Sequence, residues 1–187
     1  MRSLLYATKR RSIVWDGDSL TARPPAGGGS ISYPEFAAPR IRGNPAIVNI
    51  AVSGSVGGHA GYNVSPTPLA YVILTGHNHL YLGGAASTLL TSLETQIANV
   101  RGSGIRYVFV SKVFASVLIV GGNETERGVY NAALSGLDVD GVIDFETDPT
   151  FSNPSNFTDG THDPEALRLR RGQIAAAVIN STLGFTP

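Results

Sequence analysis

Apolar residues gather into five short runs with almost no polar interruption: Ser12–Trp15, Ala46–Val52, Ala70–Thr75, Arg106–Ser111 and Gly141–Phe145. Each is rich in β-branched or aromatic side chains and four to seven residues long. A strand with one wet face alternates apolar with polar, whereas an unbroken run suits a strand covered on both faces, as in a parallel sheet. Between the runs the period changes. Leu89, Leu93, Ile97 and Val100 step by four, four and three, which draws one apolar stripe on a helix. Leu167, Ile174 and Val178 draw a second, with Arg168, Arg170 and Arg171 placed off it. Asp163-Pro164 predicts a helix start, with Asp as N-cap and Pro at the first helical position. Asn123 with Glu126 predicts a capping box. Strands alternating with helices predict an α/β domain. Phe114–Val120 fits neither period, and reads either as a surface loop packed on the core or as a short extra strand. Pro24-Pro25 and Gly27–Gly29 read as a loop, and His59, in a Gly-rich stretch, as a surface residue.

The length of 187 residues suits one domain, with residues 1–11 as an N-terminal extension and 12–182 as the core. Fourteen Lys and Arg balance fourteen Asp and Glu, so no basic surplus points to nucleic acid. The absence of Cys excludes a disulfide framework, a thiolate metal site and a Cys nucleophile together. The apolar stretch before Lys9 is too short for a signal-peptide core, and no run approaches the ~20 apolar residues of a membrane span. The compartment is left unspecified.

In an open parallel sheet, ligands sit outside the carboxyl ends of the strands, so the residues just after each run belong together. They are Asp16-Gly17-Asp18-Ser19-Leu20-Thr21, Ser53-Gly54-Ser55 and Gly76-His77-Asn78-His79; Asp159-Gly160-Thr161-His162 precedes the last helix. A serine hydroxyl is a weak nucleophile until a base takes its proton, and His162 is the candidate base. Asp159, three residues earlier, is close enough for a turn to aim its carboxylate at the other imidazole nitrogen.

These four segments, in this order, resemble the SGNH hydrolases, the GDSL esterase and lipase family. Val14 to Thr21 resembles the family's first block, and Ser19 matches its nucleophile. Asn49 to Gly54 resembles the second, with Gly54 matching the glycine whose amide serves the oxyanion hole. Gly76 to His79 resembles the third, where Asn78 matches the asparagine that completes the hole. Asp159 to His162 matches the acid and base of the triad. The resemblance implies a three-layer α/β/α sandwich with a five-stranded parallel sheet in the flavodoxin-like order 2-1-3-4-5. It implies hydrolysis of a carboxylic ester through Ser19, His162 and Asp159, with Ser19, Gly54 and Asn78 as oxyanion donors and no cofactor. The compact chain points to short acyl groups on a small-molecule or carbohydrate ester. Three positions depart from the pattern: His79 where the family usually has Asp, Ala51 where Gly is common, and Ser111-Lys112-Val113 in place of a proline-containing stretch.

Asp18 reads as a cap of its turn, and Asp16 as solvated or paired with an Arg. His77 and His79 flank Asn78 at the substrate mouth. Two other functions fit parts of the pattern. Asp16, Asp18, His77, His79, Asp159 and His162 are all metal-ligand types near one sheet edge, which would suit a metal-dependent phosphoesterase. The His79 departure would suit a binding or structural module that keeps the fold without catalysis.

Overall fold

The structure, a computed structural model, describes residues 12–22, 31–57 and 67–184. The expected N-terminal extension at 1–11, the loop at 24–29 and His59 lie outside the described residues. All five apolar runs form strands: β1 (Ser12–Gly17), β2 (Ala46–Asn49), β3 (Ala70–Leu74), β4 (Tyr107–Ser111) and β5 (Gly141–Ile143). Every pairing is parallel and the order is β2-β1-β3-β4-β5, as expected. The run at Ala46–Val52 stops being strand at Asn49. There the side chain leaves the ladder's regularity, donating to the Thr21 carbonyl at 2.8 Å and accepting from the Ala51 amide at 3.1 Å.

The unbroken runs divide between two faces because strand side chains alternate. Ile13, Trp15, Val72, Leu74, Phe109 and Ile143 face one way and pack under α1 (Tyr33–Ala37) and α5 (Glu165–Thr182). Val14, Tyr71, Ile73, Val108 and Val110 face the other way. They are covered by α2 (His77–Tyr81), α3 (Ala86–Gly102) and α4 (Gly122–Ala133). The result is the three-layer α/β/α sandwich. Leu89, Leu93, Ile97 and Val100 are all buried, and each contributes about 1.5–3 kcal/mol of burial. Gly172 lets α1 approach α5, since a Cβ there would meet the Tyr33 carbonyl and the Ala37 amide at 2.9 Å. Among the described residues no helix is long and apolar enough to cross a membrane.

Three local expectations are corrected. Pro164 is the N-cap of α5, one residue later than predicted, because the Asp163 carboxylate is drawn instead to the Arg171 guanidinium. Arg171 is therefore on the buried face of α5, where its charge is paired, and not off it. At α4 the N-cap is Gly121 without a side-chain cap. Glu126 accepts from the Ala86 amide at 2.7 Å, and Asn123 donates to the Tyr81 carbonyl at 3.3 Å, so the two serve other elements. Phe114–Val120 is the surface loop of the two alternatives: Phe114 and Ile119 are buried, while Val117, Leu118 and Val120 are exposed.

Candidate active site

The chain leaves β1 through a tight turn. Thr21 and Ala22 donate their amides to the Asp18 carbonyl at 3.1 and 2.9 Å, and Leu20 donates to the Asp18 carboxyl at 2.9 Å. Asp18 thus caps the turn, and Ser19 sits between its two ends. Gly17 makes the exit from β1 possible: its φ is +156°, and a Cβ there would collide with the Leu74 carbonyl.

The loop after β2 is fastened to this turn. Val52 donates to the Gly17 carbonyl at 3.0 Å, and Asn49 holds the Thr21 carbonyl. Gly54 lies in that loop, exposed and at φ +81°. Asn78, at the start of α2, donates its amide to the Ser55 carbonyl at 2.9 Å, which fastens the third segment to the second. An amide nitrogen carries two hydrogens, so one remains for another acceptor. Because the chain runs from β1 out to β2 and back across to β3, these loops meet at the topological switch point, where a parallel sheet opens a crevice.

His162 and Asp159 reach the crevice from the segment before α5. Ser19 Oγ and His162 Nε2 are 3.0 Å apart, and His162 Nδ1 is 2.7 Å from Asp159 Oδ2. The other Asp159 oxygen accepts the backbone amides of His162 at 2.7 Å and Thr161 at 3.1 Å. The His162 amide, first of several such bonds, brings the Asp159 pKa down to about 2. A carboxylate at neutral pH only accepts, so Nδ1 carries the proton donated to it and Nε2 is left to accept from the Ser19 hydroxyl. The imidazole and carboxylate side chains are 48% and 57% exposed, so the pair is open to solvent.

The segment is strapped to the loop after β4. Ser116 and Thr161 share a hydroxyl contact at 2.6 Å, and Val117 donates to the Gly160 carbonyl at 3.1 Å. In place of the proline-containing stretch, Lys112 pairs with Asp144 at 2.6 Å and Asn131 holds both backbone groups of Val113.

The other polar candidates scatter. Asp16 is not solvated: it is fully buried and accepts from Tyr71 at 2.8 Å and Gln96 at 2.6 Å. The strand pleat turns it to the α3 face, away from any arginine of α5. His77 is buried instead of lining a mouth, and burial pushes its pKa down to about 4. His79 donates to the Ala85 carbonyl at 3.1 Å and so closes the α2–α3 connection. Burial raises the Asp18 pKa to about 6. Among the described residues no three His, Asp or Glu side chains converge into a set able to hold a metal ion.

No protein-family model and no curated protein sequence matches the chain. Solved structures do. A carbohydrate acetylesterase from Sinorhizobium meliloti superposes with a TM-score of 0.67 at 17% identity, over 90% of this chain and 97% of that one. The fold is that of the SGNH hydrolases. A psychrotrophic esterase from Pseudoalteromonas reaches a TM-score of 0.71 at 12% identity, over 93% of this chain and 99% of its own. An aryl esterase from M. smegmatis reaches 0.66 at 16% identity, over 92% and 99%. The SGNH fold accounts for the strand order and for the crevice at the switch point.

Sequence reasoning gave no role in this site to three residues that build it. Asn49 ties two loops, Ser116 straps the His162 segment, and Arg171 lies beneath both. Arg171 had a readable signal: Asp163, Leu167, Arg171, Ala175 and Ile179 step by four along one face.

Proposed function

We propose that the protein hydrolyses carboxylic esters by a serine mechanism. Ser19 Oγ bonds to the acyl carbon while His162 Nε2 takes its proton, and Asp159 orients the imidazole and stabilises its charged form. The amides of Ser19 and Gly54 and the side chain of Asn78 face the developing oxyanion. The carbon–oxygen bond to the leaving alcohol then breaks, and His162 returns the proton to that alcohol. Water attacks the acyl-enzyme by the same route. The single observation that carries this reading is the chain of contacts Ser19–His162–Asp159 at 3.0 and 2.7 Å.

The substrate class we favour is an acetyl ester, on carbohydrate or a comparable polyol. A cleft of about 640 Å³ meets the Ser19 turn at Ala22, without Ser19 or His162 in its wall, and is lined by Ser32, Glu35, Asn49 and Ser53 together with Ile47 and Val52, a mixed lining suited to hydroxyl-bearing groups. A second observation favours an aryl leaving group instead. Tyr81 and Leu82 at the end of α2, and Val117, Leu118 and Val120 on the loop that follows β4, are exposed. Steady-state rates on acetylated sugar, aryl acetate and longer acyl esters separate the two. A preference for acetylated sugar supports the first, and a preference for aryl acetate supports the second. Background-level rates equal to those of Ser19→Ala on every ester would favour a non-catalytic module.

A further inference from the structure

We propose that the buried Asp163–Arg171 pair is a positioning device that holds the segment carrying Ser19 in register with the segment carrying His162. The inference rests on the triad reading above and extends it to two residues that touch no reacting atom.

The observations are geometric. Arg171 is fully buried, and one nitrogen, Nη1, makes both of its hydrogen bonds. One goes to the Leu20 carbonyl at 3.0 Å, one residue after Ser19. The other goes to the Asp163 carboxylate at 2.5 Å, one residue after His162. The two contacts span 151 and 8 residues of sequence, so a single atom links the first segment of the site to the last. The guanidinium has little freedom: its centre lies 4.4 Å over Tyr33, 4.7 Å over Phe145 and 5.0 Å over Phe114. Rings on several sides fix a planar cation and recover part of its lost hydration. Arg168 holds the Asp163 carbonyl at 2.7 Å, so the main chain after His162 is clamped as well. The Ser19–His162 contact itself is partly solvent-open, and nothing in that contact alone fixes the two segments. A displacement of about 1 Å between reacting groups costs roughly 10²-fold in rate.

A buried ion pair is poor support for stability, since an apolar pair of similar volume is often as stable or more so. That separates positioning from packing. The double variant Asp163→Leu/Arg171→Met removes the link and leaves an apolar interior. We expect it to fold, by circular dichroism and thermal unfolding, with kcat on an acetyl ester lowered roughly 10–10²-fold and KM within a few-fold of wild type. Labelling of Ser19 by a fluorophosphonate should slow in parallel. A folded double variant with wild-type kcat overturns the proposal. If the double variant does not fold, Arg171→Lys decides, since it keeps the charge but ends one bond short of Nη1 and lacks the plane that the three rings hold. A tenfold or larger drop in kcat on folded protein supports the link, and a smaller change overturns it. Ser19→Ala is measured alongside: full activity there would sink the triad reading itself, whereas a dead Ser19→Ala beside an unaffected double variant sinks only the positioning claim.

Discussion

Asp16 and Asp159 are two of the hydrogen-bonded carboxyl groups around the end of β1, and their surroundings are opposite. Asp16 is fully buried and is held by Tyr71 from β3 and Gln96 from α3. Asp159 is more than half exposed and is held by amides of its own turn and by one imidazole. A buried acceptor that loses a donor keeps its full desolvation cost, so the Asp16 cluster is built to be left alone. An exposed pair gains little stability, because water replaces what is lost. The Asp159 arrangement therefore contributes little to holding the fold together, and its geometry is free to serve proton transfer. If this contrast is right, breaking the first cluster costs stability without turnover, and breaking the second does the reverse.

The largest effect is expected at the exposed arrangement. Ser19→Ala or His162→Ala should lower kcat on an acetyl ester by ~10³-fold or more, with thermal unfolding nearly unchanged. A large loss of stability in either would contradict the contrast. Asn78→Ala should lower kcat roughly 10²–10³-fold, the size of one lost oxyanion donor. Asn78 also holds the Ser55 carbonyl, so a small stability loss accompanies it. A silent Asn78→Ala would remove the third segment from the site.

How much of this was legible in the sequence follows the same contrast. The strands were, because continuous apolar runs have one physical meaning at that length. The order of Ser19, Gly54, Asn78, Asp159 and His162 was, because each follows a strand or precedes a helix. What could not be read were contacts whose partners lie far apart in sequence. Arg171 was placed off the apolar stripe because a charge on α5 reads as solvated unless its partner is known. Asp163 was assigned to a cap because Asp before Pro is a common helix start. Each was misread for want of the other, eight residues away. Asp16 was misread because Tyr71 and Gln96 reach it across the sheet's α3 face. The short helices α1 and α2 span five residues each, too few to draw a stripe.

Asp18 sharpens the comparison, since it is buried like Asp16 yet lies beside the site. Burial raises its pKa to about 6, against an ordinary 3.8, while Arg171 and His162 pull the other way. Between these values the native chain holds a proton that the unfolded chain has lost. Stability from this group therefore falls as pH rises from about 4 to 6, by about 3 kcal/mol for two pKa units. His77 acts oppositely. Its native pKa of about 4 lies below the ordinary 6.5, so stability from it falls as pH drops through that window. In the wild type the two slopes offset each other. Asp18→Asn should expose the His77 slope, with the variant gaining about 3 kcal/mol relative to wild type between pH 4 and pH 7. Urea unfolding across that range checks it, and parallel curves would refute the protonated Asp18.

The smallest effect tests the buried cluster itself. Tyr71→Phe removes the phenol donor to Asp16 and leaves Gln96, along with the shape of the ring. The stability cost should be about 1–3 kcal/mol, that of one buried acceptor left short. The kcat should stay within about twofold of wild type, because Asp16 faces α3 while the Ser19 turn is fastened through Asn49, Val52 and Arg171. Asp16 is only three residues before Ser19, so a fall in kcat on folded Tyr71→Phe would mean that strain passes along β1 into the turn. The two clusters would then be one structure, and the separation between holding the fold and serving the site would fail at its closest point of approach.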